Sequence, residues 1–410
     1  MIELSKKFGT PLYLLYEDEI VKSCELFRSV LRENFGEKAL AFYACKALSC
    51  KYLCKIINEQ NLGLDVSSGG ELFTASLVGF PMGKVMFHGN NKTEDELEMS
   101  IKLGVFRIVV DNLEELEKIE KISNRLKKTV NILIRVRPEV DANTHSSIKT
   151  AGRNSKFGMS FNETFYAIKK IIECKYINIK GFHAHIGSQI FDVDSFVNLS
   201  EIMINFYINS SKKFNIKLSD LNLGGGFGVG YIKGENDLDL KRCMRKVSEV
   251  IKIKCKLENI EIPYIYVEPG RSIIAKAGVT LYTIGCVKRN SENTHVIVDG
   301  SMNDNPRFAL YGSKYSIENI SKKDLNEEYE KVLVSGRCCE SGDIISSDCL
   351  LKKPSVGDIL AVYCTGAYNF SMSSNYNKFC KPPIILIKKN GECKQIVRRQ
   401  TYEDLVLCEI

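Results

Sequence analysis

Eight short apolar runs alternate with stretches of helical period across the first two-thirds of the chain. They are Ala39–Ala44, Leu62–Val66, Lys84–His88, Arg107–Val110, Val130–Val136, Ile179–Ala184, Leu221–Leu223 and Tyr264–Val267. Short continuous apolar runs fit strands buried on both faces of a parallel sheet. The intervening helical patterns are clearest at Glu94–Leu103 and Leu113–Leu126, where apolar positions recur three and four apart among Glu and Lys. Strand–helix alternation builds parallel βαβ units, and eight in succession predict a TIM-type (β/α)8 barrel.

The pattern changes after residue 278. Val279–Val287, His295–Asp299, Tyr329–Ser335, Ile359–Val362 and Ile384–Lys388 read as strands separated by turn residues with little helical period. The fold class expected is therefore α/β, a barrel followed by a C-terminal β-domain of sandwich or Greek-key-like barrel form. The expected domains are an N-terminal segment 1–30, a barrel 31–278 and a β-domain 279–410. The early run Pro11–Tyr16 is expected to join the β-domain, because chain termini often lie close together.

Composition narrows the class. In 410 residues, 44% are hydrophobic and 26% charged, ordinary for a globular protein with a sizeable core. No apolar stretch approaches the ~20 residues that span a bilayer. The start, MIELSKKFGTPLYLL, lacks the charged-then-apolar pattern of a signal peptide, so a cytoplasmic protein is expected. The net charge of +7 arises from 57 basic and 50 acidic residues dispersed along the chain, so neither nucleic-acid nor membrane binding is expected. The fifteen cysteines are scattered. Cys50 and Cys54 lack a second pair at zinc-ligand spacing, so no metal site is expected.

The chemically loaded motifs fall where strands end, and in a (β/α)8 barrel the active site lies on the loops that follow those ends. Lys46 follows ALAFYA almost directly. An isolated lysine there would be a surface residue, but at a barrel mouth a lysine can lose its proton and attack an aldehyde. The glycine run Gly224–Gly228 follows the seventh strand, where barrel enzymes often hold phosphate. Glycines let backbone N–H groups approach an anion without a Cβ in the way. Glu268, in EPGR, ends the eighth strand; a carboxylate there can keep a pyridine nitrogen protonated. Arg271 is a candidate fork for a substrate carboxylate. His185, in HAHIGSQ, is placed to lie against a flat ring. An amine, an anion cradle and an acid at one mouth suit a phosphorylated aldehyde cofactor.

These landmarks, with DVSSGGEL (Asp65–Leu72), SKFGM (Ser155–Met159), CESGD (Cys339–Asp343) and GAYNFSMSSNYN (Gly366–Asn377), run in one order along the chain. In them the chain resembles the diaminopimelate decarboxylases, within the alanine racemase/ornithine decarboxylase group. CESGD and SMSSNYN are the discriminating motifs.

The resemblance implies pyridoxal 5'-phosphate held covalently by Lys46, with His185 on the ring and Glu268 at its nitrogen. It implies a phosphate site from Ser188, Gly225, Gly226, the Glu268–Pro269–Gly270–Arg271 backbone and Tyr368. Arg271, Arg307 and Tyr311 would grip the far carboxylate of meso-diaminopimelate, with Tyr368 also at the substrate, and Glu340 would bind the far ammonium. Cys339 would return a proton after carbon dioxide leaves. The Cys339–Glu340 segment would come from the other subunit of a homodimer with shared sites. L-lysine would be the product.

Two departures from the family pattern concern geometry only: Phe308 stands where proline is common, and Asn369 where glycine is usual. The alternatives are a related decarboxylase of ornithine, arginine or carboxynorspermidine, and a non-catalytic cofactor-binding protein of the same fold. The β-domain carrying CESGD argues against the latter.

Overall fold

The computed structural model describes residues 1–138, 156–291, 293–322 and 328–410, so Ser155 of SKFGM lies outside the described residues. The chain divides into two units. One comprises Ser23–Val229 and Asp237–Gly270; the other comprises Met1–Lys22, Gly230–Asn236 and Arg271–Ile410.

Strand β1 (Leu12–Tyr16) comes first in the chain. The barrel strands follow: β2 (Ala39–Ala44), β3 (Gly63–Val66), β4 (Val85–Phe87), β5 (Arg107–Val110), β6 (Val130–Arg135), β7 (Ile177–His183), β8 (Asp220–Asn222) and β9 (Tyr264–Val267). They form a closed barrel, each paired in parallel with the next and β9 with β2. This is the predicted (β/α)8 architecture. Differences are confined to strand ends: β8 begins and ends one residue earlier than its apolar run. Asp220 is drawn into that strand by a 2.7 Å ion pair with Arg107 on β5.

The side chains of Phe42, Met86, Val109, Leu133 and Tyr266 make one buried cluster in the barrel unit. The helices Glu94–Leu103 and Leu113–Leu126 occupy the spans their periodicity predicts. Thr93 caps the first in a reciprocal capping box with Glu96, and Gly104 ends it in the left-handed conformation. Asn112 caps the second through the Glu115 N–H. Such caps satisfy N–H groups that a helix start leaves unpaired.

The other unit is built on a nine-stranded mixed sheet. To β1 it adds β10 (Gly278–Arg289), β11 (Thr294–Val298), β12 (Ile317–Asn319), β13 (Tyr329–Ser335), β14 (Ile344–Lys352), β15 (Ile359–Tyr363), β16 (Ile384–Ile387) and β17 (Cys393–Val397). The order is β14-β13-β11-β10-β1-β16-β17, with β15 joining β10 to β12. β1 lies between β10, its antiparallel neighbour, and β16, its parallel one. Leu12, Leu14, Leu281 and Ile385 are fully buried in its core; each such side chain contributes about 1.5–3 kcal/mol by leaving water. Three strands, β12, β14 and β17, were not evident from the sequence pattern, nor was the opening helix Ile2–Phe8.

Among the described residues no helix is long and apolar enough to cross a membrane. All fifteen cysteines are free thiols.

Candidate active site

A cavity of about 480 Å³ opens in the barrel unit, and residues from the carboxyl ends of its strands line it. Lys46, Asp65, His88, Arg135, His183, His185, Ser188 and Glu268 all contribute to its wall. Lys46 sits in the turn Cys45–Ala47 directly after β2. That turn is fixed from two sides: the Tyr43 hydroxyl donates to Leu48 O at 2.9 Å, and Ala44 N–H donates to Pro269 O at 3.1 Å. The end of β2 is thus tied to the EPGR segment. Gly270 packs there against Ala44 and Ala47, where a Cβ would lie 3.0–3.2 Å from their methyls.

Glu268 is a buried residue of the cavity wall, and both of its oxygens are engaged. Asn222 Nδ2 donates to Oε1 at 2.6 Å, and His183 Nε2 meets Oε2 at 3.2 Å. His88 Nε2 lies 2.8 Å from Oε1 without forming a straight hydrogen bond. Burial alone would push the Glu268 carboxyl up, but the adjoining His88 and His183 hold it well below the usual carboxylate range. Glu268 is therefore an anion. Burial pushes His183 down to about 4, so that ring is neutral. The ligand atoms of His88, His183 and Glu268 lie within 4.8 Å of one another, a spacing that would suit a metal. Here both carboxylate oxygens already accept hydrogen bonds.

The glycine-rich loop follows β8. Gly225 and Gly226 approach other backbone closely: a Cβ would lie 2.1 Å from Glu268 O at the first and 2.4 Å from Gly187 O at the second. Gly226 also takes φ +104°, which disfavours any side chain. The loop fixes His185, because Gly225 N–H donates to its Nδ1 at 3.2 Å. His185 is neutral: burial first, then the positive charges of Lys46 and Arg135, push it well below its ordinary value. A flat, uncharged ring held at its edge can lie against an aromatic cofactor. Elsewhere in the barrel unit, burial raises Asp65, and lifts Glu71 to about 7 although Ser67 N–H donates to it at 2.6 Å.

The arginines form their own group within the other unit. Arg271 Nη1 donates to the Tyr231 hydroxyl at 2.6 Å and its guanidinium stacks 4.6 Å over Tyr368. Arg307 donates to the Tyr315 hydroxyl at 3.0 Å and lies 4.8 Å over the Tyr231 ring. Tyr311 ends the short helix Arg307–Tyr311 and is 66% exposed. Cys339 and Glu340 are exposed on a turn. Asp343 anchors that turn by accepting from Met302 N–H at 2.6 Å and Cys338 N–H at 2.7 Å.

Sequence reasoning did not single out His88, His183, Asp65, Arg135 and Asn222, which line or support the cavity, nor Tyr231 and Tyr315 among the arginines. His88 was within reach, since it closes the third barrel run, and His183 opens the HAHIGSQ motif. The residues present fit pyridoxal phosphate: an amine, a neutral ring and a buried carboxylate anion share one cavity whose loops are glycine-rich.

Comparison with known proteins agrees. Residues 17–275 match the family model described as pyridoxal-dependent decarboxylase, pyridoxal binding domain. The diaminopimelate decarboxylase of Bacillus subtilis is 39% identical over 99% of this chain and 93% of its own length. Among solved structures, diaminopimelate decarboxylase of M. jannaschii in complex with L-lysine superposes with a TM-score of 0.93 at 35% identity, covering 100% of this chain and 94% of that one. The Helicobacter pylori enzyme complexed with L-lysine gives 0.89 at 30% identity, covering 100% and 98%.

Proposed function

Because this chain belongs to the diaminopimelate decarboxylase family of pyridoxal-dependent decarboxylases, we propose that it converts meso-2,6-diaminopimelate to L-lysine and carbon dioxide, the last step of lysine biosynthesis. The observation that carries this reading is the cavity in which Lys46 and the ionised Glu268 share a wall with the neutral His185. Pyridoxal phosphate, when bound, supplies the electron sink for the pair released as the carboxylate leaves.

The chain's own residues do the rest. Lys46 holds the cofactor covalently. Glu268 keeps the ring nitrogen protonated, because a buried anion stabilises a cation beside it. His185 presents its face to the ring without adding charge. Ser188, Gly225, Gly226, Pro269, Gly270, Arg271 and Tyr368 hold the phosphate.

The substrate carries an amino-acid group at each end, so selection requires a cationic fork and an anion for the non-reacting end. Arg271, Arg307 and Tyr311 take its carboxylate, with Tyr368 beside them, and Glu340 takes its ammonium. Cys339 delivers a proton to the carbon that has lost carbon dioxide. The exposure of Cys339 and Glu340 on an anchored turn supports their serving the site of a second copy, which makes the enzyme a homodimer. Fifteen free thiols support a reducing, cytoplasmic setting. No observation favours ornithine, arginine or carboxynorspermidine as substrate.

The test is carbon dioxide release by the cofactor-loaded protein on meso-diaminopimelate, with those three amino acids in parallel. Release from diaminopimelate alone, with L-lysine as product, is expected. Release from another of the four would overturn the roles given to Arg307, Tyr311 and Glu340.

A further inference from the structure

On the reading that Glu268 pairs with the pyridine nitrogen, we propose that His183 and Asn222 are positioning residues that keep its carboxylate ionised and aimed into the cavity. They come from the ends of β7 and β8, and Glu268 follows β9, so three consecutive barrel strands build the arrangement. Each oxygen has its own donor: Asn222 Nδ2 at 2.6 Å on Oε1, and His183 Nε2 at 3.2 Å on Oε2. Two donors on two oxygens stop the carboxylate from rotating about its terminal bond.

The polarity of both donors is settled by their other contacts. Asn222 Oδ1 accepts Gly224 N–H at 2.9 Å, so its amide nitrogen must be the end that faces Glu268. His183 Nδ1 is buried with no hydrogen-bond partner among the described residues, so the ring's proton sits on Nε2 and points at the carboxylate. Neither donor is charged. An arginine or lysine in either place would neutralise Glu268; these two fix it without adding a charge of their own. Asn222 has a second consequence: through one amide it ties the glycine-rich loop to the carboxylate, so the groups at the two ends of the cofactor are set by a single side chain.

A network that served only stability would weaken binding of any cofactor alike. A network that acts through the ring nitrogen must discriminate. The test therefore titrates the cofactor-free protein with pyridoxal phosphate and with its 1-deaza analogue, in which carbon replaces the ring nitrogen. Glu268→Gln, His183→Phe and Asn222→Leu are compared with the wild type. The wild type is expected to prefer the natural cofactor, and Glu268→Gln to erase that preference. His183→Phe and Asn222→Leu should each reduce it about tenfold, the scale of one hydrogen bond to a charged group.

If Glu268→Gln keeps the full preference, the assignment of Glu268 to the ring nitrogen is wrong and the proposal goes with it. If Glu268→Gln erases it while the other two keep it, only the roles of His183 and Asn222 are overturned. Should both of those variants misfold, nitrogen-15 NMR of the wild type decides: a neutral His183 protonated at Nε2 at neutral pH upholds the proposal, and an imidazolium or the Nδ1 tautomer overturns it.

Discussion

Arg271 Nη1 and the Tyr231 hydroxyl share a 2.6 Å hydrogen bond, and the face of the same phenol lies 4.8 Å from the guanidinium carbon of Arg307. One ring thereby sets the orientation of two arginines. Burial raises the Tyr231 hydroxyl above its ordinary value, so it stays a neutral phenol that can accept from Arg271. Tyr231→Phe keeps the stacking and removes the acceptor. If the two arginines grip the far carboxylate, KM for diaminopimelate should rise about tenfold with a smaller change in kcat. Steady-state carbon dioxide release measures both, and an unchanged KM would remove Tyr231 from substrate recognition.

Lys46→Ala should abolish covalent attachment of the cofactor, seen as loss of the mass adduct after borohydride reduction, together with turnover. Cys339→Ala should bind the cofactor normally and turn over slowly. If sites are shared between two copies, mixing the two variants should give more activity than the sum of the two alone, because one site of the mixed dimer receives both an intact lysine and an intact thiol. No recovery after subunit exchange would mean that each copy uses its own Cys339.

Asp304 is buried beneath the Tyr282 hydroxyl, which donates to it at 2.5 Å, and Ser301 N–H, at 3.1 Å. Burial pushes its carboxyl up to about 7. A carboxyl raised in the folded state contributes stability that is fully present below its unfolded value and is lost as pH rises through the folded one. Between about pH 4 and 7 this group alone should lower stability by ~1.4 kcal/mol per pH unit. Asp304→Asn should flatten that slope in urea unfolding followed across the window. An identical slope in the variant would show that Asp304 does not titrate there.

The ammonium of Lys92 is fully buried and donates to Glu115 at 2.7 Å and to Gly89 O and Val109 O at 2.8 Å each. Removing one partner of such a pair strands the other charge. Lys92→Met should cost about 3–5 kcal/mol in denaturant unfolding, and adding Glu115→Gln should recover part of it. Equal losses in the single and double variants would mean that the lysine's carbonyl contacts, rather than the ion pair, hold this corner of the barrel.

The barrel was legible because strands buried on both faces are mostly apolar, so even β4, three residues long, left a readable run. β14 did not. It lies at the sheet edge, where only Ile345, Cys349 and Leu351 are buried, and Ser346, Ser347 and Asp348 interrupt the pattern. Lys46, His185 and Glu268 could be found because each belongs to a motif. Asn222 and His88 belong to none: each is one polar residue at one strand end. Their partnership with Glu268 exists only once closure brings the ends of β4, β8 and β9 together. Tyr231 was hidden for a related reason, since its arginines lie far along the chain.

The placing of β1 between β10 and β16 has a bearing on biosynthesis. The ribosome delivers Leu12–Tyr16 long before Ile384–Ile387. Translation at about 5–20 residues per second separates them by tens of seconds. All eight barrel strands emerge in that interval and can pair among themselves. Until β10 emerges β1 must wait, its two hydrogen-bonding edges unmet and Leu12 and Leu14 uncovered. A nascent chain arrested before β10 would therefore display β1 as a bare apolar strand, a natural target for chaperone capture, and one arrested between β10 and β16 would leave only its β16 edge unpaired.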